Sequence, residues 1–425
     1  MSHDEKVHDA HGAIDAVWRM EAPRLIAGLA RMVHDVGLAE ELAQDALVAA
    51  LERWPADGTP DNPGAWLMAT AKRRAIDRLR RHQLMQRKHE ELLHELERQE
   101  VDRPDSDQRL GDDIGDDLLR LVFTACHPVL STEAQVALTL RLLGGLATDE
   151  IARAFLLPEP TVAQRIVRAK RTLAEKQVPF EVPRKVELPE RLSSVLGVVY
   201  LIFNEGYAAT AGEDLMRPAL CEEALRLGRV LAGLVPGEPE VHGLVALMEL
   251  QASRTRARVG PAGEPVLLME QDRGTWDRLL ITRGLASLAR AEALGGGRGV
   301  YALQAAIAAC HARAPSADET DWRRIAALYG VLAEVTGSPV VELNRAVALG
   351  MAEGPMTGLS LVDGLVDEPA LRRYHLLPAV RADLLEKLGR LDEAREEFER
   401  AAGLTRNQRE RELLLARASK VIAER

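Results

Sequence analysis

The chain is poor in the residues from which disulfide frameworks, metal centres and membrane spans are built. Its 425 residues include 3 cysteines, and Cys126, Cys221 and Cys310 stand far apart with no paired spacing. That pattern excludes a disulfide scaffold or a zinc site and fits buried thiols in a reducing cytoplasm. The longest apolar run, near Val195 to Phe203, falls far short of the roughly 20 residues a spanning helix needs. The polar, acidic start MSHDEKVHDAHG is unlike a signal peptide, so no membrane segment is expected and the location expected is cytoplasmic. Nucleophile elbow, P-loop and metal-ligand spacings are all missing. No catalytic residue, metal or cofactor is therefore expected, and the chain does not read as an enzyme. A general excess of basic charge is missing too. With 55 Lys plus Arg against 65 Asp plus Glu, the net charge is −10, so contact with nucleic acid has to come from local basic stripes.

What is present is helical patterning throughout, over a length that calls for several domains. The most informative stretch is Leu146 to Lys176, LATDEIARAFLLPEPTVAQRIVRAKRTLAEK. It reads as two short helices joined by a tight turn, a helix-turn-helix whose second helix is basic. Thr148 is placed to cap the first helix, with Asp149 and Glu150 at the positive end of its dipole. The second helix carries Arg165, Arg168, Lys170, Arg171 and Lys176; its Val162, Ile166, Ala169 and Leu173 form one apolar stripe, which leaves the arginines on solvent-facing arcs where phosphates could be met. The bland alternative is a solvated charged helix packed on a neighbour. Leu156 stands where such turns often have glycine, and Pro158 where the second helix often has a Ser or Thr cap. Proline is nonetheless tolerated at a helix start.

Upstream, residues 1–12 read as a polar tail without periodicity. From Ala13 to His82 the pattern is helical, with breaks expected around Val36-Gly37 and from Pro55 to Pro63. AEELAQDALVAALERW (Ala39 to Trp54) sets Leu42, Ala46 and Trp54 on one side and Glu40, Glu41, Gln44, Asp45 and Glu52 largely elsewhere, an acidic face suited to a basic partner. WLMATAKRRAIDRLRR (Trp66 to Arg81) has one apolar and one cationic face. Trp66 at its start is either a core residue or an aromatic on which an unstacked base could stack beside a basic groove. Gln83 to Asp113 reads as a helix fading into a charged linker.

These motifs, with LSTEAQVALTLRLLGGLATDEIARAFLLPEPTVAQRIVRAK, resemble in order and spacing the extracytoplasmic-function class of bacterial RNA polymerase sigma factors. The resemblance implies that Leu42, Gln44, Asp45 and Leu47 contact the β′ clamp helices of core RNA polymerase. It implies that Trp66, Lys72, Arg73, Arg74, Asp77, Arg78, Arg80 and Arg81 meet the promoter −10 element. Thr161, Gln164, Arg165, Arg168, Lys170 and Arg171 would meet the −35 duplex, in a domain that also approaches the β flap. Arg73 departs from the Asn that many members carry there, which bears on base reading more than on phosphate contact. The loop Pro55 to Gly64 lies where members capture a flipped −10 base.

Beyond Val186 the composition turns Ala- and Leu-rich, and small residues recur where paired-helix repeats pack closely. Ala382, Leu385, Gly389, Asp392, Glu393, Ala394, Phe398 and Ala401 follow a tetratricopeptide-like pattern. A second unit runs through Ala224 and Pro236, with weaker ones at Leu303 to Pro315 and Gly337 to Leu349. This matches a subgroup of these sigma factors with a tetratricopeptide-like C-terminal extension, and VVYLIFNEGYAA at Val198 to Ala209 resembles its junction signature. Asn204, Glu205 and Tyr207 in that signature read as a cap or domain tie more readily than as a catalytic cluster.

The expected architecture is all-α. A sigma region 2-like domain (13–83), a linker (84–113) and a sigma region 4-like helix-turn-helix domain (114–177) precede a tetratricopeptide-like domain (186–425) that could hold a peptide or protein. The expected function is promoter-specific transcription initiation with core polymerase and promoter DNA as partners. The alternative is a helix-turn-helix regulator with a repeat-type sensor that does not bind core polymerase.

Overall fold

The computed structural model describes residues 3–93, 112–210, 212–261 and 263–423, and the chain divides into compact units Met1–Val198 and Val199–Arg425. Among the described residues the regular structure is helical, with two isolated β-bridges, Gly212 to Asn407 and Val259 to Pro265. No described helix is long and apolar enough to cross a membrane.

The first unit contains α1 (His3–Val33), α2 (Val36–Asp57), α3 (Pro63–Leu93), α4 (Asp112–Ala125), α5 (Thr132–Leu142), α6 (Thr148–Phe155) and α7 (Glu159–Glu175). α1 packs on α2, α3 and α4, while α5 and α6 pack on α7. The first break falls earlier than the Val36-Gly37 position expected from sequence. His34 turns the chain with φ 53°, and the Asp35 side chain accepts the Leu38 N–H at 2.8 Å, so α2 already starts at Val36. Such an aspartate cap satisfies an amide that has no intrahelical acceptor. At the amino end α1 begins at His3 where a tail was expected, because extending a nucleated helix adds one hydrogen bond per residue fixed. Residues 84–93 of the expected linker continue α3, and 94–111 lie outside the described residues.

α8 (Leu188–Tyr207) contains the division between the units. The second unit continues through α9 (Pro218–Leu234), α10 (Pro239–Ala252), α11 (Arg278–Ala293), α12 (Val300–Arg313), α13 (Trp322–Thr336) and α14 (Pro339–Glu353) to α15 (Pro355–Asp363), α16 (Leu376–Lys387), α17 (Leu391–Leu404) and α18 (Gln408–Ala423). Each helix from α9 to α18 packs on the next, the arrangement of stacked helical pairs. α9, α10, α14 and α15 open with proline in the first turn, where the missing N–H costs no bond. The α16–α17 pair realises the repeat pattern. Ala382, Leu385, Ala394, Phe398 and Ala401 are each 0% exposed, and Gly389 takes the left-handed turn between them with φ 74°.

The polar residues ending α8 serve as ties. Glu205 pairs with Arg217 and accepts the Thr210 hydroxyl at 2.9 Å, and Gly206 O accepts the Arg217 N–H at 2.7 Å. A Cβ on Gly206 would stand 2.6 Å from the Cys221 backbone nitrogen, so this crossing of α8 and α9 admits glycine alone. Burial pushes the Cys126 and Cys221 thiols up to about 12, which keeps them out of the reactive thiolate form.

His311 on α12 is lowered to about 4 by burial and by the nearby Arg254 and Arg273. The ring is neutral in both folded and unfolded chains above its ordinary value of 6.5. Below that value the unfolded chain takes up a proton that the folded chain refuses. Stability of the second unit should therefore fall as pH drops from the ordinary value to the folded one, by up to about 3 kcal/mol. Urea midpoints against pH check this, and His311→Gln should flatten that part of the profile.

Candidate nucleic-acid interface

The helix-turn-helix forms as its stripe requires. Val162, Ile166, Ala169 and Leu173 are 1%, 5%, 2% and 5% exposed and turn one face of α7 inward. α6 begins differently from the expectation: Ala147, not Thr148, occupies the N-cap, and Thr148 is already inside the helix. Alanine has no side-chain acceptor, so only half of a capping box exists, with Glu150 accepting the Ala147 N–H at 2.8 Å. Leu156 closes α6 in the left-handed region, φ 51° and ψ 43°, a conformation that crowds its Cβ and that glycine adopts freely. Pro158 stands at the α7 N-cap and Pro160 in its first turn.

On the outer face of α7, Thr161, Gln164, Arg168 and Arg171 are exposed and Arg165 is half-buried. Arg171 is held by Glu175 at 2.6 Å. Among the described residues Arg165 and Arg168 make no ion pair, though Arg165 acts through space on Glu133. Lys170 turns the other way, toward α2.

α3 carries the second set of cations. Arg74 meets Asp45 at 3.4 Å and donates to the Asp45 carbonyl at 2.8 Å, and Arg78 meets Glu41 at 3.3 Å. These exposed pairs are worth about 0–1 kcal/mol each and exchange readily. Lys72 is half-buried, while Arg73, Asp77 and Arg80 are exposed; among the described residues none of the four forms an ion pair. The Arg81 side chain lies outside the described residues. Trp66 is neither fully buried nor fully exposed, and its ring centroid lies 5.3 Å from that of Trp54 in an edge-on contact.

α2 differs most from the sequence reading. Leu42 is 1% exposed and offers no surface in this conformation, while Asp45 is exposed and Gln44 and Leu47 are half-buried. Glu40, grouped by sequence with the outward acidic residues, is 2% exposed. Its carboxylate accepts Arg141 Nε of α5 at 2.6 Å, pairs with Lys170 of α7 and accepts Gln44 Nε2 at 2.8 Å. Two further ion pairs join α1 to the helix-turn-helix side of the unit: Arg19 with Glu150 at 2.7 Å and Arg31 with Asp117 at 3.0 Å. Beside Lys170 a cleft of about 500 Å³ is lined by His34, Asp35, Thr124, Leu173 and Phe180 among others. The one sequence signal for Glu40 is its helical spacing of three from Ala43, itself 0% exposed.

Removing the charge from Glu40 leaves Arg141 and Lys170, 23% and 22% exposed, without their shared anion. Glu40→Gln should destabilise the first unit by roughly 1–3 kcal/mol, whereas Asp45→Asn at an exposed pair should change it by less than about 0.5 kcal/mol. Urea denaturation of both variants checks the contrast.

Comparison with known proteins bears on the same elements. Residues 17–84 match sigma-70 region 2, residues 120–173 match sigma-70 region 4, and residues 191–292 match a family of unknown function, DUF6596. The chain is 43% identical over 398 residues to the protein R00370 of Rhizobium meliloti (strain 1021), covering 93% of each. A structural comparison pairs it with yeast Tom70 at 13% identity and a TM-score of 0.31, covering 97% of this chain and 86% of that one. With region 2 spanning the α2–α3 pair and region 4 spanning the helix-turn-helix, the chain belongs to the sigma-70 family of transcription initiation factors, in the extracytoplasmic-function class with a C-terminal helical extension.

Proposed function

We propose that the chain binds core RNA polymerase through α2, engages the −10 element with α3 and reads the −35 element with α7. The observation that carries this reading is the distribution of cations that lack an ion pair. Arg73 and Arg80 on α3 and Arg165 and Arg168 on α7 make no ion pair among the described residues, and these two helices belong to the two matched sigma regions. Polymerase contact falls to the outer side of α2, where Gln44, Asp45 and Leu47 are joined by Val48, 51% exposed; Leu42 supports that face from within. Trp66 offers an edge for an unstacked base, and the helix-turn-helix domain is the partner for the β flap. Lys170 reaches DNA only after it leaves Glu40, so binding of polymerase or promoter has to open that contact.

The C-terminal helical array acts in the same process as a domain required for productive initiation. Its stacked pairs form a surface suited to a peptide or a helical partner. A truncation after Lys185 compared with the full chain, for core binding and transcription, decides this. Equal activity of both forms would leave the array as an independent docking module.

The central test is transcription from the protein's own upstream region by purified core polymerase, with and without this chain. A promoter-dependent transcript is expected only with it. Failure to bind core would favour the helix-turn-helix regulator, and core binding without a promoter-dependent transcript would overturn the proposal. Replacing Arg165, Arg168 and Arg171 by alanine should lower affinity for −35 duplex. A lost phosphate contact reduces the salt slope by about 1, and a lost guanine contact costs about 1–3 kcal/mol at one base pair. Unchanged affinity and promoter choice would refute the assignment to α7.

A further inference from the structure

The C-terminal unit holds a cluster of arginines with aromatic rings against them and no carboxylate in contact. Arg258 lies flat over Tyr207, its Cζ 3.7 Å from the ring centroid, and donates through Nη1 to the Tyr207 carbonyl. Arg254 sits between Tyr207 and Trp276, 5.9 Å and 5.7 Å from their ring centroids, and its Nη2 is shared by Tyr207 Oη and Gln251 Oε1. Arg273 closes the cluster behind Trp276 at 5.2 Å. Its two terminal nitrogens are engaged, Nη1 donating to the carbonyls of His311 and Ala314 at 2.9 Å each and Nη2 to Thr320 Oγ1 at 2.7 Å.

Among the described residues none of these arginines forms an ion pair. The carboxylates that act on them do so only through space: Glu410 on Arg258 and Glu319 on Arg273. Glu410 is already occupied by the Thr405 hydroxyl at 2.7 Å and by His375 at 3.2 Å. Burial lowers the pKa of Arg258 and Arg273, with Arg254 adding to the effect. Guanidinium groups taken out of water without a counter-charge are costly, and rings beneath them offset only part of that cost. The cluster is therefore short of an anion.

The donors left over show where that anion fits. Arg258 keeps Nε and Nη2 unpartnered among the described residues, the side edge that meets an oxyanion with two parallel hydrogen bonds. Arg254 keeps Nε and Nη1. Both residues, and Tyr207, are half-buried and retain accessible surface, whereas Arg273 Nε is sealed. Two adjacent cations call for a dianion, since a single carboxylate would leave one of them unbalanced. We propose that Arg254 and Arg258, stacked on Tyr207 and Trp276, form a binding site for a phosphate group, as free phosphate or on a small phosphorylated metabolite. The site gives the C-terminal domain a chemical input distinct from its helical surface, and it does not depend on how the first unit meets DNA.

The test uses the full-length protein and inorganic phosphate, titrated by calorimetry against chloride at matched ionic strength, with a sugar phosphate as a second arm. Saturable binding of phosphate but not chloride is expected, and tighter binding of the sugar phosphate would identify the organic source. Arg258→Lys and Arg254→Lys keep the charge but lose the planar fork, and each should weaken phosphate binding about tenfold or more. Arg256→Gln, exposed on the same turn, should leave it unchanged. If the lysine variants are misfolded, arginine-selective dicarbonyl labelling of the unaltered protein replaces them: phosphate should protect Arg254 and Arg258. Equal responses to phosphate and chloride, lysine variants that fold and bind like the parent, or labelling that phosphate does not change would each overturn the proposal.

Discussion

A charged carboxylate is held out of water by the cations and donors that meet it. Among the described residues of the first unit Glu40 is the most buried carboxylate so held, just ahead of Asp117. Glu40 belongs to α2, in the part of the chain that matches sigma-70 region 2, while Arg141 and Lys170 belong to the part that matches region 4. A well-shielded ion pair thus runs between the two matched regions, and it occupies Lys170, a cation of α7. By contrast, the Arg74–Asp45 and Arg78–Glu41 pairs are exposed on both sides and can be replaced by phosphate or by a partner's side chains at little cost. The first unit therefore has a graded polar surface. Exposed pairs on α2 and α3 yield easily, and the Glu40 contact yields only to a partner that binds the separated arrangement more tightly.

The second unit is held by different means. Its helices approach closely because small residues stand at the crossings: Ala382, Ala394 and Ala401 are fully buried beside Phe398, and Gly206 lets α8 meet the backbone of Cys221. Close packing of this kind gains from many weak contacts and leaves no room for an added methyl group. The arginine cluster interrupts it. Cations lie on Tyr207 and Trp276 where carboxylates would ordinarily neutralise them, and the departure from the usual matching of buried charge marks the place as a site.

Much of this was legible in the sequence. The stripe from Val162 to Leu173 gave both the inward face of α7 and, by subtraction, the outward Arg168 and Arg171. The small, large and aromatic spacing from Ala382 to Ala401 gave the α16–α17 pair with Gly389 at its turn. Local chemistry misled at two helix starts. Thr148 is a better capping residue than Ala147, yet the turn after α5 fixes the start of α6 one residue earlier. The chain breaks at His34 because Asp35 caps α2 there, ahead of the Val36-Gly37 pair that composition singles out.

By itself the sequence determined helix content, the faces of α3 and α7, the order of the sigma-like motifs and the paired-helix character of the C-terminal half. All of these rest on residues within a few turns of one another, where helical spacing fixes what shares a face. Tertiary structure alone decided that Glu40 is buried, that Lys170 points to α2 and not outward with its neighbours, and that Tyr207, Arg254, Arg258 and Trp276 converge. Those outcomes depend on residues far apart in the chain meeting across helix crossings. Whether a charge is exposed, paired or left without a partner is set by what the crossing brings to it, and helical periodicity carries no record of that.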